Sequence, residues 1–211
     1  MLRAKAQRFK TEGASLRDRT LTSTDRLLST TSIPLVDITV NALNKTGAFR
    51  KALSAGMDIH HEAPLPKLHN KTLRKRVKPL LVPQEPRKVG DTTGKVALYA
   101  TCYGNYNSPD VGEDFVKVFQ HNGIHIDIVP KEKCCGMPKL ELGDLDSVDA
   151  LKQANIPVLA KLVDEGYDLT APIPSCVLMY KQELPLMYPD DPDVNKVQKA
   201  FYDPFEYLVD V

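Results

Sequence analysis

Three short strand-like runs in the second half of the chain are each followed by cysteine, with helical periodicity between them. The first, Lys95-Val96-Ala97-Leu98-Tyr99-Ala100-Thr101, is nearly continuous in apolar character, as a strand buried on both faces must be. Cys102 follows it. Val111, Phe115, Val118 and Phe119 then recur at helical spacing, and Gly123 supplies a C-terminal stop. Residues 124–129 alternate as a second strand, with Cys134 and Cys135 beyond it. A longer helical pattern over about 144–165 carries Leu145, Val148, Leu151, Leu159, Leu162 and Val163, and Pro157 inside it predicts a kink or a division. Leu169-Thr170-Ala171-Pro172 reads as a third strand before Cys176, and residues 177–187 are helical again. Strands alternating with helices predict an α/β fold, a parallel sheet with right-handed crossovers.

In a parallel sheet the C-terminal ends of all strands share one edge, which is where open α/β folds place their ligands. Cys102, Cys134, Cys135 and Cys176 are therefore expected to converge there. Cys134-Cys135-Gly136-Met137-Pro138 puts two thiols on a turn, where Gly136 permits positive φ or close backbone approach. Cys102-Tyr103-Gly104-Asn105 is expected as a loop that turns N–H groups inward, and Pro172, Pro174 and Ser175 to keep the approach to Cys176 extended. Lys131 and Lys133 would add positive charge.

Several chemistries suit four such thiols. An iron–sulfur cluster leads, since Cys thiolates are its usual ligands and N–H donors tune it. A structural zinc site normally uses paired C-x₂₋₄-C knuckles, and no C-x₂-C occurs. Adjacent cysteines could exchange disulfides with a partner, and buried cysteines also occur as plain core residues. The five histidines fit worse. His60 and His61 lie before a proline-rich stretch, His69 within it, and His121 and His125 at the opposite end of the second strand. Neither a dinucleotide fingerprint nor a P-loop is present.

The first half reads differently. Residues 3–55 form short helical segments, with Leu16, Leu21, Leu27 and Leu28 in one apolar set and Leu35, Val36, Ile38, Val40, Ala42 and Leu43 in another. From about 57 to 90, Pro64, Pro66, Pro79, Pro83 and Pro86 accompany the basic run Lys71-Thr72-Leu73-Arg74-Lys75-Arg76, which predicts an extended, solvated connector. The expected organisation is a basic N-terminal region and connector at 1–90, a cysteine-rich α/β domain at 94–188 and the start of a further segment at 189–211. Residues 1–90 hold 18 Lys/Arg against 7 Asp/Glu, and residues 91–211 hold 10 against 20, so charges of +11 and −10 face different partners. The basic run lacks interleaved aromatics, which favours docking on an acidic partner over nucleic acid. No apolar run approaches the roughly 18 residues of a membrane span, and the N-terminus lacks the apolar core of a secretory signal. A cytoplasmic location is expected, where thiols stay reduced.

Thr101-Cys102-Tyr103, Lys133-Cys134-Cys135-Gly136-Met137-Pro138 and Pro174-Ser175-Cys176-Val177-Leu178-Met179-Tyr180-Lys181 together resemble the CCG-type cysteine-rich domain of iron–sulfur oxidoreductases. That family includes the B subunit of heterodisulfide reductase, lactate-utilisation iron–sulfur subunits and, most similar in these residues, the C subunit of anaerobic glycerol-3-phosphate dehydrogenase. Ile33-Pro34-Leu35-Val36 and Ala63-Pro64-Leu65-Pro66 extend the resemblance towards the N-terminus. It implies thiolate ligation of an iron–sulfur cluster by Cys102, Cys134, Cys135 and Cys176, with Tyr103, Gly136 and Met137 around it and Lys133 tuning its charge. It further implies electron relay from a flavin-containing dehydrogenase subunit towards a quinone or similar acceptor, peripheral to the inner face of a membrane, without a substrate site in this chain.

Family members carry a ferredoxin-like segment first and two CCG domains after it, so this chain is expected to be a fragment holding one CCG domain. Ile173 stands where the fuller C-x-x-C pattern places another cysteine. Four thiolates suit a [4Fe–4S] cubane, or a [2Fe–2S] cluster, rather than a five-cysteine cluster. The rival readings are a scaffold with a degenerate cysteine site and a thiol–disulfide reductase component.

Overall fold

Four parallel strands in the order β2-β1-β3-β4 organise the molecule. They are β1 (Lys95–Leu98), β2 (His125–Ile128), β3 (Asp168–Thr170) and β4 (Phe201–Tyr202). A computed structural model describes residues 2–209. Met1 and the last two residues of the expected C-terminal segment, 210 and 211, lie outside it.

The helices in chain order are α1 (Leu2–Glu12), α2 (Leu16–Thr22), α3 (Thr24–Thr31), α4 (Val36–Leu43), α5 (Gly47–Met57) and α6 (Leu73–Val77) before the first strand. Then come α7 (Cys102–Tyr106) and α8 (Pro109–His121), α9 (Met137–Leu142) and α10 (Leu145–Asp164). After β3, α11 (Pro174–Leu178), a π turn (Met179–Glu183) and α12 (Leu184–Met187) form one helical run, followed by α13 (Pro192–Ala200) and α14 (Pro204–Val209).

Register follows from the apolar runs. Val96 pairs with Ile126 on one side and Asp168 on the other, and Leu98 with Ile128 and Thr170. The alternation of β1 divides the core in two. Ala97 and Tyr99 join Leu169, Phe201, Leu159 and Val197 on one face, while Val96, Leu98 and Ala100 join Ile126, Val116 and Phe119 on the other. From β1 the chain crosses outward to β2, then returns past β1 to β3 and β4. The winding reverses between β1 and β3, and the ligand-binding crevice of a doubly wound sheet opens at such a switch point.

Four expectations are corrected. Within the stretch expected as a solvated connector, residues 73–77 fold into α6, while most of the rest is irregular and exposed or half-buried. Leu73 and Val77 are each 0% exposed in the second core. They stand four residues apart on one helical face, so the basic residues between them point elsewhere while the apolar pair is buried. Close packing is possible because Gly112 of α8 lacks a side chain. A Cβ there would lie 2.3 Å from Leu73 Cδ2.

The segment after 188 is part of the same sheet. Leu169 and Thr170 pair with Phe201 and Tyr202, and the fully buried Tyr207 hydroxyl donates to Asp168 and accepts from Gly94 N–H, both at 3.1 Å.

Of the kink or division expected at Pro157, the division does not occur: α10 runs unbroken from Leu145 to Asp164. Pro157 and Gln153, whose carbonyl the proline leaves without its helical donor, are both exposed, so water can serve that carbonyl.

Cys102 and Cys176 sit in first helical turns rather than in loops. Cys102 opens α7, N-capped by Thr101, whose hydroxyl accepts from Gly104 N–H at 2.9 Å. Pro174 is the first residue of α11, where its fixed φ favours starting a helix, and Ile173 before it is extended.

Candidate metal centre

Each cysteine lies just beyond a strand: Cys102 and Cys176 in short helices, Cys134 and Cys135 in the irregular segment before α9. Thr101, the residue between β1 and Cys102, has φ 64°, a strained value for a β-branched residue. The Gly104 and Asn105 N–H groups, bonded to the Thr101 hydroxyl and carbonyl, hold it there. Strain of this kind gathers at functional sites. Beyond β2, Asn155 of α10 grips the chain. Its Oδ1 accepts from Lys133 N–H at 2.8 Å and its Nδ2 donates to the Cys134 carbonyl at 2.9 Å. The Tyr99 hydroxyl also donates to the Lys133 carbonyl. Gly136, at φ 98°, then turns the backbone into α9.

These supports bring the four thiols into a row. Cys102 Sγ lies 4.0 Å from Cys134 Sγ, and Cys176 Sγ lies 3.2 Å from Cys135 Sγ, with Cys134 and Cys135 adjacent in the chain and linking the two pairs. Cys134, Cys135 and Cys176 are buried, Cys102 is partly exposed, and all four are free. Hydrogen bonds from Cys102 and Cys135, and another from Gly136 N–H, hold the Cys134 thiol far below the ordinary range. Cys102 is driven far up by its bond to Cys134, and Cys135 by its bonds to Cys134 and Cys176, with burial adding to both.

Cys102 and Cys134 line a cleft of about 500 Å³ that also meets Thr101, Asn105, Tyr106 and Leu151. Much of its polar lining was not expected from sequence. The Thr24 hydroxyl of α3 reaches Cys102 Sγ at 3.4 Å and Cys134 Sγ at 3.5 Å, and Asp25, Arg26 and Ser29 line the same cleft. Arg74, from the supposed connector, bonds the Val129 carbonyl at 2.6 Å and pairs with Glu132 at 3.0 Å. Glu132 also accepts from Ala100 N–H at 3.0 Å, and its burial pushes its carboxyl up to about 7. Only basic composition marked Arg74 beforehand, and nothing in sequence marked Thr24 or Glu132.

The remaining sequence candidates divide. Gly136 lies against the site, its N–H on Cys134 Sγ and its α-carbon opposite Met179 and Leu151. Met137 packs on the core cluster that contains three of the cysteines. Lys133 lines the cleft, and Tyr106 lines it where Tyr103, 43% exposed, does not. Of the histidines, His125 bonds Asp127 at 2.9 Å near the start of β2, and His60 and His61 are exposed. Neither position joins the thiols.

The donor set fits an iron–sulfur cluster in kind: four thiols, three of them buried, with N–H and hydroxyl donors aimed at sulfur. It fits a single zinc ion less well. Tetrahedral ligation with Zn–S near 2.3 Å sets every sulfur pair about 3.8 Å apart. Among the described residues, the one group of three or more ligating side chains within 4.8 Å of one another is His60, His61 and Glu62, so the thiols are not so compact.

Residues 96–181 match the model of the CCG cysteine-rich domain. The chain is 30% identical over 184 residues to the C subunit of anaerobic glycerol-3-phosphate dehydrogenase of Escherichia coli, covering 87% of this chain and 44% of that protein. Lactate utilization protein A of Bacillus thuringiensis is 31% identical over 121 residues, covering 56% of this chain and 48% of its own. The B subunit of fumarate reductase (CoM/CoB) of Methanothermobacter marburgensis is 33% identical over 81 residues, covering 38% and 16%. The chain therefore spans less than half the length of these relatives. No solved structure matches it.

Proposed function

Since residues 96–181 are a cysteine-rich domain of the CCG type, we propose that Cys102, Cys134, Cys135 and Cys176 hold an iron–sulfur cluster and that the chain serves electron transfer within an oxidoreductase complex. The observation that carries this reading is the row of four thiols at the switch point of the sheet. A bound cluster supplies one-electron chemistry. Four thiolates equal the number that a [4Fe–4S] cubane takes, and this is the type this reading adopts.

The protein's own residues do the rest. Tyr99 and Tyr180, packed edge to face at 5.2 Å, wall off the inner side, and burial raises both phenols so far that they stay protonated. Thr24 and Gly136 N–H direct hydrogen-bond donors at Cys134 Sγ, an arrangement that raises a reduction potential. Arg26, Arg74 and Lys133 line the cleft and offset thiolate charge. Cys102 and Cys134, which line the cleft, form the side from which electrons enter or leave.

The named relatives include subunits of a dehydrogenase and a reductase, which supports a partner subunit here as well. In this reading the electron donor is a flavin-containing dehydrogenase subunit and the acceptor is quinone-linked, at the cytoplasmic face of a membrane. No helix among the described residues is long and apolar enough to cross one.

A second reading draws on the 3.2 Å approach of Cys135 and Cys176, which suits a dithiol that cycles to a disulfide. Iron and acid-labile sulfide content after anaerobic reconstitution separates the two, with Cys134→Ser/Cys135→Ser as control. The cluster reading expects about four irons per chain, lost in the double variant. Iron-free protein that forms a Cys135–Cys176 disulfide on mild oxidation would favour the dithiol instead.

A further inference from the structure

A second cleft, of about 590 Å³, lies in the N-terminal half and shares no lining residue with the cysteine cleft. Gly47, Arg50 and Lys51 of α5 line it at i, i+3 and i+4, so one helical face is turned towards it. Lys45, just beyond the C-cap of α4, and Lys67 bring the cations to four, against one carboxylate, Glu62.

Two features of this cleft lack partners. The first is Arg50, 7% exposed. Its Nε donates to the His61 carbonyl at 2.9 Å, and its Nη2 to the carbonyls of His60, at 3.1 Å, and Ala63. Its Nη1, also buried, has no hydrogen-bond partner among the described residues. Buried guanidinium N–H groups are ordinarily paired, and an unpaired one implies a missing acceptor. The second is the N-terminus of the 11-residue α5. Its N-cap Thr46 makes no side-chain cap, because the hydroxyl donates back to the Leu43 carbonyl at 2.8 Å. The first-turn N–H groups are left without a side-chain acceptor, and open space lies where Gly47 would carry a Cβ. Orphan N–H groups and the helix dipole together favour an anion there.

We propose that this cleft binds a dianionic phosphate group. Four cations, a spare guanidinium donor and uncapped helix N–H groups exceed what one carboxylate can engage. A phosphate offers three or more oxygens and a double charge. The phosphate could be inorganic, part of a soluble monoester, or the headgroup of a phosphatidic acid.

Titration calorimetry on the whole chain tests this with three probes: inorganic phosphate, phenyl phosphate, and phosphatidylcholine vesicles doped with phosphatidic acid. One saturable site per chain is expected for at least one probe, and the tightest identifies the source. Lys51→Gln/Lys67→Gln, both at exposed positions, should weaken binding about tenfold or more while circular dichroism stays unchanged. Arg50→Gln should abolish it wherever that variant folds. Absence of saturable binding to every probe, or equal binding in the double lysine variant, would overturn the proposal. The second result would assign the anion to cations elsewhere, such as Arg26, Arg74 and Lys133 in the cysteine cleft.

Discussion

Asn155 holds Cys134 from the opposite wall of the site: its amide donates to the Cys134 carbonyl at 2.9 Å while its oxygen accepts from Lys133 N–H at 2.8 Å. Asn155 is 2% exposed and sits two residues before Pro157 in α10. A helix thereby sets the conformation of an irregular segment that no secondary structure supports. Asn155→Leu should leave the buried Cys134 carbonyl and the partly buried Lys133 N–H unpaired and cost about 1–3 kcal/mol, most of it from the carbonyl. Urea unfolding checks the stability. Reconstituted iron should fall as well, since the thiol of Cys134 follows its backbone. Full stability in Asn155→Leu would show that the clamp is dispensable.

The Arg74–Glu132 pair links the supposed connector to the cysteine edge. Glu132 is 7% exposed and Arg74 31%, so removing the arginine strands the more buried member. Arg74→Gln should destabilise by about 2–3 kcal/mol, at or below the low end for a broken buried pair because water reaches the arginine. Arg74→Gln/Glu132→Gln should lose less than the sum of the single changes. A double-mutant cycle by chemical denaturation measures the coupling, and strict additivity would mean the pair is energetically idle.

Asp127 supplies a pH signature away from the cysteines. Partial burial would raise its carboxyl, but hydrogen bonds from Tyr167 and His125 outweigh that, helped by the charges of His125 and Lys95, and hold it below the ordinary range. The Tyr167 hydroxyl donates at 2.6 Å and the His125 ring at 2.9 Å. A folded pKa below the unfolded one stabilises above the unfolded value, and that stabilisation disappears as pH falls through the folded value. Tyr167→Phe should therefore cost about 0.5–1 kcal/mol at neutral pH, a modest figure because the carboxylate is partly solvated, and almost nothing near pH 2. A difference that grew on acidification would contradict this assignment.

Tyr207 tests whether the segment after 188 belongs to the fold. Its hydroxyl is the acceptor for Gly94 N–H and a donor to Asp168. Tyr207→Phe removes only that oxygen and should cost about 1–3 kcal/mol by leaving a buried N–H unpaired. Thermal unfolding should stay a single transition with a lower midpoint. An unchanged midpoint would mean that this end of the chain is only loosely attached.

Residue order alone carries the class of fold and the convergence of the thiols. An apolar run as short as residues 95–101, rich in β-formers and preceded by Gly94, reads as a strand covered on both sides, and parallel strands end on a common edge, so cysteines placed after strands meet there. Those rules are local periodicity plus topology, and both are written in residue order. What the tertiary structure alone decided were the contacts between segments distant in sequence. Thr24 reaches Cys102 and Cys134 across 78 and 110 positions, and Arg74 reaches Val129 across 55. Leu73 and Val77 disappear into a core that their basic neighbours concealed, and β4 joins a sheet whose other strands lie far upstream. No periodicity announces such contacts, because a short polar or basic segment carries no signal of which surface will cover it until the strands have formed and left a gap of its shape.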